Sequence, residues 1–393
     1  MRILMISPQP FFEARGAPFC VYQHIRALLE LGYEVDLVTY PIGKDINLPG
    51  LTIYRAAKIP FIKSVKPGPS LAKFPLDIAV FFTTFWRLCL RRYSFIHAHE
   101  EAGFMGVMLG FLFRAKNIYY MHCNLPELVV CSNFTRNALL LRSVQFVQNV
   151  MLRKADGVIA FYPQVAKTAQ ALAPNTLVEL IVSPAVDEEI PAPTSEEVEA
   201  LRQQLQLGNG PVIVYTGTLE NYQGIDILLE SAVEVRKHFP TIHYVIAGGN
   251  PEQVAALKEL AHKLDLDETT RFVGQRPLEE MPRYMAMATM LVSPRNKGTH
   301  VPLKLYTYMR SGKPILATDI LSNTQILTPD IAKIVSASAE GLAQGTLLLL
   351  QEPAVARQFA QRSKEVFEEQ YSWPVFLQRN KVTYDKFAAL AKD

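Results

Sequence analysis

The stretch YTGTLENYQGIDILLESA, residues 215–232, has the form of a turn that binds an anion. A strand is predicted to end there, Gly217 permits a tight turn, and Gly224 opens a helix with apolar residues at the helical period. Backbone N–H groups at the start of a helix point outward, and the helix dipole favours negative charge at that end. The stretch contains no lysine, arginine or histidine. A phosphate bound here would need a cation from another part of the chain.

A second stretch, SPRNKGTHVPLKLYTYMRSGKP at residues 293–314, is the predicted source of that cation. Four basic residues lie between its third and twelfth positions: Arg295, Lys297, His300 and Lys304. A helix is expected from about Pro302, which places Lys304 in the first turns beside free N–H groups. A diphosphate needs counter-charge and donors, but not from one particular strand. We therefore predict Lys304 as the main cation. The alternative is a loop that its charges merely make soluble.

The elements that position these residues are alternating strands and helices, which is typical of parallel α/β layers. Strands are predicted in the first half at 2–6, 34–40, 51–55, 94–99, 117–121, 157–161 and 177–182, and in the second half at 211–215, 243–248, 270–274, 289–294 and 314–318. The predicted helices include 18–31, 353–370 and 373–390. Because the strands are almost continuously apolar, we expect each sheet to be covered on both faces.

A loop with three prolines and five acids, SPAVDEEIPAPTSEE, separates the two halves and indicates a linker at about 184–195. The predicted domains are residues 1–190, residues 191–370, and a C-terminal helix at 371–393 that returns to the first domain. Open α/β sheets bind ligands at the carboxyl ends of their strands, so a ligand is expected between the two domains.

Composition excludes several classes of protein. A chain of 393 residues with 49% hydrophobic and 20% charged residues is globular and long enough for about two domains. The longest apolar stretches, 78–86 and 103–113, fall short of the ~20 residues that cross a bilayer. The N-terminus lacks the features of a secretory signal and reads as the first strand. The four cysteines, Cys20, Cys89, Cys123 and Cys131, are scattered and are interpreted as free thiols of a cytoplasmic protein.

Four segments together resemble the GT-B glycosyltransferases of family 4: RGAPFCVYQHIRALLELGYEVDLVTY, FIHAHEEAGFMG, GTLENYQGIDILLESA and PLKLYTYMRSGKPILAT. The resemblance covers essentially the whole chain. It implies an α/β protein with two doubly wound Rossmann-like domains facing across a cleft, the first on the acceptor side and the second binding a nucleotide-sugar. It also implies transfer of the sugar with retention of configuration, without a metal or other cofactor.

The resemblance also implies the donor site, where this chain departs from the family. Thr218 and Gln223 stand where the family has an arginine and a lysine, and Thr299 and Thr307 align with its paired glutamates. The loop at Gly16 and Ala17 approaches the donor phosphates in the family; an ordinary strand-to-helix turn, with Pro18 as the first helical residue, is the alternative. The predicted donor-binding residues are Gly16, Ala17, Gly217, Thr218, Gln223, Arg295, Gly298, Thr299, His300, Lys304 and Thr307.

His122, after the strand at 117–121, is the predicted catalytic residue, because the family keeps a histidine there at the reacting sugar. It would hydrogen-bond a sugar hydroxyl and orient the groups around the anomeric carbon. His99 and Glu100 are predicted on the acceptor side, although Glu100 and Glu101 also fit solvated acids at a helix start. The sequence DLD at 265–267 resembles a metal-binding DxD but matches nothing in this fold's donor site, so no metal is predicted.

The segment 55–92 carries eight basic residues and one acid, Asp77. Lysine and arginine interleaved with aromatic residues fit an edge that lies on anionic lipid; a core helix with a solvated basic face fits equally well. RNA binding is disfavoured because no stacking motif accompanies the charge. We predict a cytoplasmic transferase, peripheral on the inner face of the plasma membrane, that acts on a glycan or lipid-linked acceptor. Two rivals remain: a degenerate GT-B protein that binds a glycan or a partner enzyme, and a nucleotide-sugar epimerase.

Overall fold

A computed structural model describes residues 1–12, 16–65, 68, 70–131, 134–135, 137–185 and 189–390. The chain divides into two compact units. Unit 1 comprises Met1–Ser183 with Pro374–Asp393, and unit 2 comprises Pro184–Trp373. The division after Ser183 falls at the start of the linker that the sequence indicates at about 184–195. Residues 186–188 of that linker lie outside the described residues.

The sheet of unit 1 is parallel and doubly wound. Its strands are β1 (Arg2–Ser7), β2 (Glu34–Thr39), β3 (Leu51–Arg55), β4 (Phe95–His99), β5 (Lys116–Met121), β6 (Gly157–Ala160) and β7 (Leu177–Leu180). They lie in the order β3-β2-β1-β4-β5-β6-β7. The strand order reverses between β1 and β4, and the carboxyl ends of the strands at such a reversal form the ligand site of open α/β sheets.

The helices of unit 1 are α1 (Gly16–Glu30), α2 (Lys73–Leu90), α3 (Ala102–Phe113), α4 (Leu125–Cys131), α5 (Ala138–Lys154) and α6 (Pro163–Leu172). Helices α2 and α3 cover the same face of the sheet, where Val80 and Leu109 belong to one core cluster with Ile6 and Ile96 of β1 and β4. Helix α1 begins at Gly16, so the prediction of Pro18 as its first residue was two residues late.

Unit 2 repeats the same architecture. Its strands are β8 (Val212–Thr216), β9 (His243–Ala247), β10 (Thr270–Gly274), β11 (Met290–Ser293), β12 (Ile315–Thr318) and β13 (Lys333–Val335). They lie in the order β10-β9-β8-β11-β12-β13, which reverses between β8 and β11. All twelve strands predicted from the sequence are present, with ends that differ by at most two residues. Strand β13 was not predicted because it has three half-buried residues and no clear apolar pattern.

The helices of unit 2 are α7 (Ser195–Gln204), α8 (Ile225–His238), α9 (Pro251–Lys263), α10 (Met281–Met287), α11 (Lys304–Arg310), α12 (Leu321–Thr324), α13 (Ala339–Gln351) and α14 (Pro353–Gln370). Helix α11 begins at Lys304, so the predicted start near Pro302 was too early. The last helix, α15 (Trp373–Ala389), contributes its residues from Pro374 onward to unit 1. There Tyr384 is fully buried and hydrogen-bonds His97.

Candidate functional site

The turn after β8 and the loop after β11 meet at the reversal of the unit 2 sheet. Gly217 has φ +138, a conformation that other residues rarely adopt, and its N–H donates to the carbonyl of Ala247 at 2.9 Å. Gly224 has φ +71, and a Cβ at that position would overlap the carbonyl oxygen of Pro294. The two glycines therefore allow the uncharged turn to lie directly against the loop that carries the basic residues.

Lys304, the first residue of α11, reaches the turn with its amine group. Its Nζ lies 3.7 Å from the centroid of the Tyr215 ring and 5.9 Å from that of Tyr308. The residue is partly exposed as a whole, but Nζ itself is buried and has no hydrogen-bond partner among the described residues. Burial, and then the charge of Arg295, hold the pKa of Lys304 well below its usual value. An anion placed beside Nζ would raise that pKa again and be neutralised by the ammonium group.

Arg295 connects the loop to the turn through a chain of hydrogen bonds. Its Nε donates to Gln223 Oε1 at 3.2 Å, and Gln223 Nε2 donates to Thr218 Oγ1 at 3.0 Å. Its Nη1 donates to the carbonyl of His300 at 2.7 Å, and the guanidinium lies 5.2 Å from the Tyr222 ring centroid. Gln223 thus holds the buried arginine at the turn, and Thr218 in turn holds Gln223.

Neither cation is paired with a carboxylate in the described ranges of the chain. Burial lowers the pKa of Arg295 as well as that of Lys304. Buried charge is unfavourable unless an opposite charge or several hydrogen bonds compensate it. The Tyr215 hydroxyl donates to the Thr218 carbonyl at 2.6 Å and does not contact the lysine amine. The arrangement therefore fits an anion that enters from solution.

The other predicted donor residues of unit 2 differ in their burial and in the hydrogen bonds they make. Thr307 lies one helical turn after Lys304, is buried, and has a hydroxyl without a partner among the described residues. His300 was predicted through its side chain, but its backbone carbonyl is what holds Arg295. Thr299 accepts a hydrogen bond from Gln325 Nε2 at 2.6 Å through its carbonyl. Gly298 has φ +105, and Lys297 is exposed.

Unit 1 places a cluster of histidines at its own reversal of strand order. His99 Nδ1 lies 2.9 Å from His122 Nε2, and the rings of His97 and His99 stack with centroids 4.6 Å apart. The Tyr384 hydroxyl bridges His97 Nδ1 at 2.8 Å and His24 Nε2 at 3.1 Å. The four histidines are called the histidine cluster: His24 of α1, His97 and His99 of β4, and His122 just after β5. Helix α15 contributes the bridging Tyr384.

All four histidines of the cluster are buried and neutral at physiological pH. Burial lowers the pKa of His24 and of His122 to about 3. Burial and the neighbouring rings hold the pKa values of His97 and His99 well below the usual range. In the contact between His99 and His122 one imidazole donates and the other accepts. His122 is thus a fixed, uncharged hydrogen-bonding group and a weak base.

The two acids after β4 differ from each other. Glu100 is partly exposed, has φ +50, and its N–H donates to the carbonyl of Tyr120 at 3.2 Å. Glu101 forms an ion pair with Lys73 at 2.8 Å, and burial raises the pKa of its carboxyl group. Glu101 is therefore an ion-paired acid of which 31% of the side chain remains exposed. Gly16 and Ala17 are the first two residues of α1, and residues 13–15 before them lie outside the described part of the chain.

Several residues of the two sites were not predicted from the sequence. Tyr384 lies more than 280 residues from His97, so only the fold brings them together. His24 lies on the buried face of α1, where a histidine has no distinguishing pattern. Tyr215 and Tyr308 enclose the lysine amine, and the spacing of Lys304 and Tyr308 by one helical turn was the available signal.

The remaining candidates are the DLD sequence at 265–267, the long apolar stretches and the four cysteines. Asp267 contacts His262 at 2.7 Å on the surface, and no group of three or more histidine, cysteine or acidic side chains in the described residues is arranged to hold a metal. Within the same residues, no helix is both long enough and apolar enough to cross a bilayer. Cys20, Cys89 and Cys123 are free thiols, and the side chain of Cys131 lies outside the described part.

Two family models match the chain along most of its length. Residues 14–185 match Glycosyltransferase Family 4, and residues 197–366 match Glycosyl transferases group 1. With two parallel Rossmann-like sheets, these matches define the class as GT-B glycosyltransferase. The chain belongs to the family 4 type of these enzymes, which transfer glycosyl groups, so the resemblance drawn from its motifs is confirmed.

Individual relatives and solved structures are also similar to this chain, and three of them share 18–31% sequence identity with it. A GDP-mannose-dependent alpha-(1-6)-phosphatidylinositol monomannoside mannosyltransferase of Mycolicibacterium smegmatis is 31% identical over 34% of this chain and 35% of its own length. A phosphatidyl-myo-inositol mannosyltransferase of Mycobacterium leprae is 23% identical over 99% of this chain and 97% of its own. The structure of Anabaena HepE in complex with UDP has a TM-score of 0.76 at 18% identity and covers 98% and 100% of the two chains.

Proposed function

We propose that this glycosyltransferase moves a sugar from a nucleoside-diphosphate sugar to a glycan or lipid-linked acceptor at the cytoplasmic face of a membrane. The single observation that carries the proposal is the pair of buried cations, Lys304 and Arg295, held without a carboxylate partner at the reversal of the unit 2 sheet. That edge is where α/β sheets bind nucleotides. A diphosphate there would receive charge from Lys304 and hydrogen bonds from the Thr218 side of the turn.

The reaction places different demands on the two units. The bond between the anomeric carbon and the donor phosphate oxygen breaks, and the diphosphate leaves with the electron pair. The acceptor oxygen forms a bond to the same carbon, and its proton passes to the departing phosphate, which gives retention without a metal. Lys304 stabilises the charge that develops on the leaving group. His122, neutral in unit 1, hydrogen-bonds a hydroxyl of the reacting sugar.

The relatives' names and the UDP complex support this choice of substrates. One relative is named for GDP-mannose, two for phosphatidylinositol-based acceptors, and HepE binds UDP. The proposed acceptor is therefore a lipid-linked glycan or lipid head group, with the enzyme peripheral on the inner face of the plasma membrane.

The basic segment 55–92 contributes less charge to a membrane than its composition predicts. Arg55 donates to Asp45 and to three backbone carbonyls, Lys73 pairs with Glu101, and Arg87 lies 3.9 Å from the Tyr54 ring centroid. Lys66 lies outside the described residues. The exposed cations of the segment in the described part are Lys58, Lys63, Arg91 and Arg92.

Calorimetry with UDP, GDP and ADP, with and without EDTA, tests the donor site. Lys304→Ala should weaken binding of the preferred diphosphate by about ten- to a hundredfold, because a hydrogen bond to a charged group contributes about 1.5–3 kcal/mol. Gln223→Ala should weaken it much less, since no charge is lost. Lys297→Ala removes an exposed lysine from the same loop and is the matched control, expected to bind like the wild type. Unchanged affinity in the Lys304 variant would refute the assignment, and a wild type without nucleotide affinity would favour the degenerate binding protein.

A further inference from the structure

Helix α2 exposes an apolar side chain at every fourth residue along its outer side. Phe74, Ile78, Phe82, Trp86 and Leu90 are between 45% and 70% exposed. Residues four apart lie on one face of a helix, so these five form a continuous row. The opposite side of α2 is buried against the sheet through Leu76, Val80 and Leu88. The helix is therefore apolar on two sides, and the protein covers only one of them.

Helix α3 continues the same surface. Phe104, Met108, Phe111 and Leu112 are exposed, with Phe111 at 88%. The two helices lie side by side on one face of the sheet, where Phe85 of α2 and Phe113 of α3 are in ring contact at 5.5 Å. The nine exposed side chains of the two helices are called the apolar face: Phe74, Ile78, Phe82, Trp86, Leu90, Phe104, Met108, Phe111 and Leu112. An exposed set of this extent marks an interaction surface on a protein.

The exposed charge just beyond the carboxyl ends of α2 and α3 is positive, whereas at their amino ends Lys73 pairs with Glu101. Arg91 and Arg92 follow the end of α2, Arg114 follows the end of α3, and all three are exposed. Within α2 and α3 the only acid is Asp77, whose carboxylate accepts a hydrogen bond from Tyr40. Aromatic and aliphatic side chains beside arginines match the boundary between the acyl chains and the phosphates of an anionic bilayer.

We propose that the apolar face docks on an anionic phospholipid bilayer, with its aromatic side chains below the head groups and Arg91, Arg92 and Arg114 at the phosphates. This inference rests on the proposed membrane location but not on the donor site. It differs from attachment by the charges of segment 55–92 alone, because four of the nine side chains lie on α3, outside that segment, and the other five are apolar residues within it. A second copy of the chain would present the same arginines and no exposed acid on α2 or α3, so charge complementarity favours the bilayer over a dimer through this face.

Fluorescence of Trp86 tests the contact directly. The chain has two tryptophans, so Trp373→Phe leaves Trp86, which lies within the row on α2, as the single reporter. Vesicles of phosphatidylcholine with about a third phosphatidylglycerol should shift its emission to the blue and protect it from a water-soluble quencher. An unchanged emission with the protein bound would place another surface on the lipid and overturn the proposal.

Cosedimentation with the same vesicles measures the energetic contribution. Phe82→Ser combined with Phe111→Ser should weaken binding by at least about tenfold, because each exposed ring contributes by burial of apolar area. Leu321→Ser removes an exposed apolar side chain from unit 2 and should bind like the wild type. Binding to the anionic vesicles should weaken as salt rises but not vanish, since salt screens charge and leaves apolar burial intact.

Three results would count against the docking face. The first is a serine variant that binds the vesicles as tightly as the wild type, and the second is a wild type that stays in the supernatant. A wild-type dimer in gel filtration that the serine substitutions dissociate, without vesicle binding, would assign the face to a second copy of the chain. UDP and GDP binding is measured on the same samples: nucleotide binding without vesicle binding overturns the docking face alone, and the reverse overturns the donor site alone. Nucleotide binding by the serine variant also shows that it is folded.

Discussion

The two units share one architecture and differ in how they treat polar and apolar groups. Unit 2 buries two cations at the reversal of its sheet, whereas unit 1 buries four neutral histidines at the corresponding place. Among the described residues of unit 2, only three large apolar side chains are exposed by more than about a third, Tyr222, Leu321 and Leu348, whereas α2 and α3 of unit 1 expose nine. A doubly wound sheet therefore fixes where a site lies, and the side chains at its reversal decide what the site can bind.

The difference in buried groups predicts different responses to acid, which is the largest effect we expect. Each histidine of the cluster has a folded-state pKa below its unfolded value, so unfolding takes up a proton as the pH falls below about 6.5. Asp77 opposes this, because burial raises its pKa to about 7 and the folded state takes up that proton first; Glu101 shifts in the same direction. The net uptake of two to three protons should lower the free energy of unfolding of unit 1 by about 3 kcal/mol per pH unit.

Unit 2 serves as the internal control for that measurement. Among its described histidines, His243 has a lowered pKa, and that of His262 is raised by its contact with Asp267. Trp373→Phe leaves the reporter Trp86 in unit 1, and Trp86→Phe leaves Trp373 at the end of unit 2. Urea titrations of both variants between about pH 7 and pH 5 should show a steep loss of stability for the first reporter only. Equal slopes would mean that the histidines are not buried neutral in solution.

His122→Ala should separate turnover from nucleotide affinity. The substitution removes a preorganised hydrogen-bonding group from the reacting sugar, and the loss of one such group typically lowers kcat by about a hundredfold or more. Calorimetric affinity for the diphosphate should stay unchanged, because the cations that hold it belong to unit 2. The rate is followed as release of nucleoside diphosphate from the preferred sugar donor. His262→Ala, an exposed histidine of unit 2, is the control. A wild-type rate in the His122 variant contradicts the assigned role.

The fold and one half of the site follow from the sequence, for identifiable reasons. Alternating apolar runs predict the strands, and the strand ends predict where Gly217 and His122 lie. The contact of Lys304 with the turn was expected from charge alone, and the structure brings the two together through Gly224 and Pro294. The bridging hydroxyl of Tyr384 depends on a contact across most of the chain, which no local pattern encodes.

The exposure of α3 was out of reach from the sequence, whereas the aromatic and basic residues interleaved in segment 55–92 had indicated a lipid-facing edge that includes α2. A run such as GFMGVMLGFLF at 103–113 is apolar on every side, so its periodicity does not reveal which side chains remain outside. The basic residues of segment 55–92 suggested a surface, but Arg55 and Lys73 make internal contacts that depend on the fold. Only the packed structure distinguishes a cation that faces solvent from one that holds a loop.

The last and smallest effect concerns the protonation of Lys304. In the free protein its amine is buried without a partner, and its pKa lies well below the usual value. A diphosphate favours the ammonium form, so above the pKa of the free protein each binding event takes up one proton. Affinity should therefore fall as the pH rises, by up to about tenfold per pH unit for a single proton, until the pKa of the bound state is reached.

Calorimetry in two buffers of different ionisation enthalpy would detect that proton directly. The nucleotide also titrates through its second phosphate ionisation, and the same measurement on Lys304→Met gives the correction for it. This variant has no titrating amine and should bind weakly with no proton uptake of its own. Because the pKa of Lys304 is lower in the folded chain than the ~10.4 of an unfolded lysine, the free energy of unfolding of the wild type should gain a contribution that rises with pH up to about 10, and Lys304→Met should lack that contribution. If the affinity of the wild type follows the same pH profile as that of the methionine variant, Lys304 is already charged before the anion arrives, as an ordinary surface lysine is. The contrast between a cationic site in unit 2 and a neutral cluster in unit 1 would then not depend on the ligand.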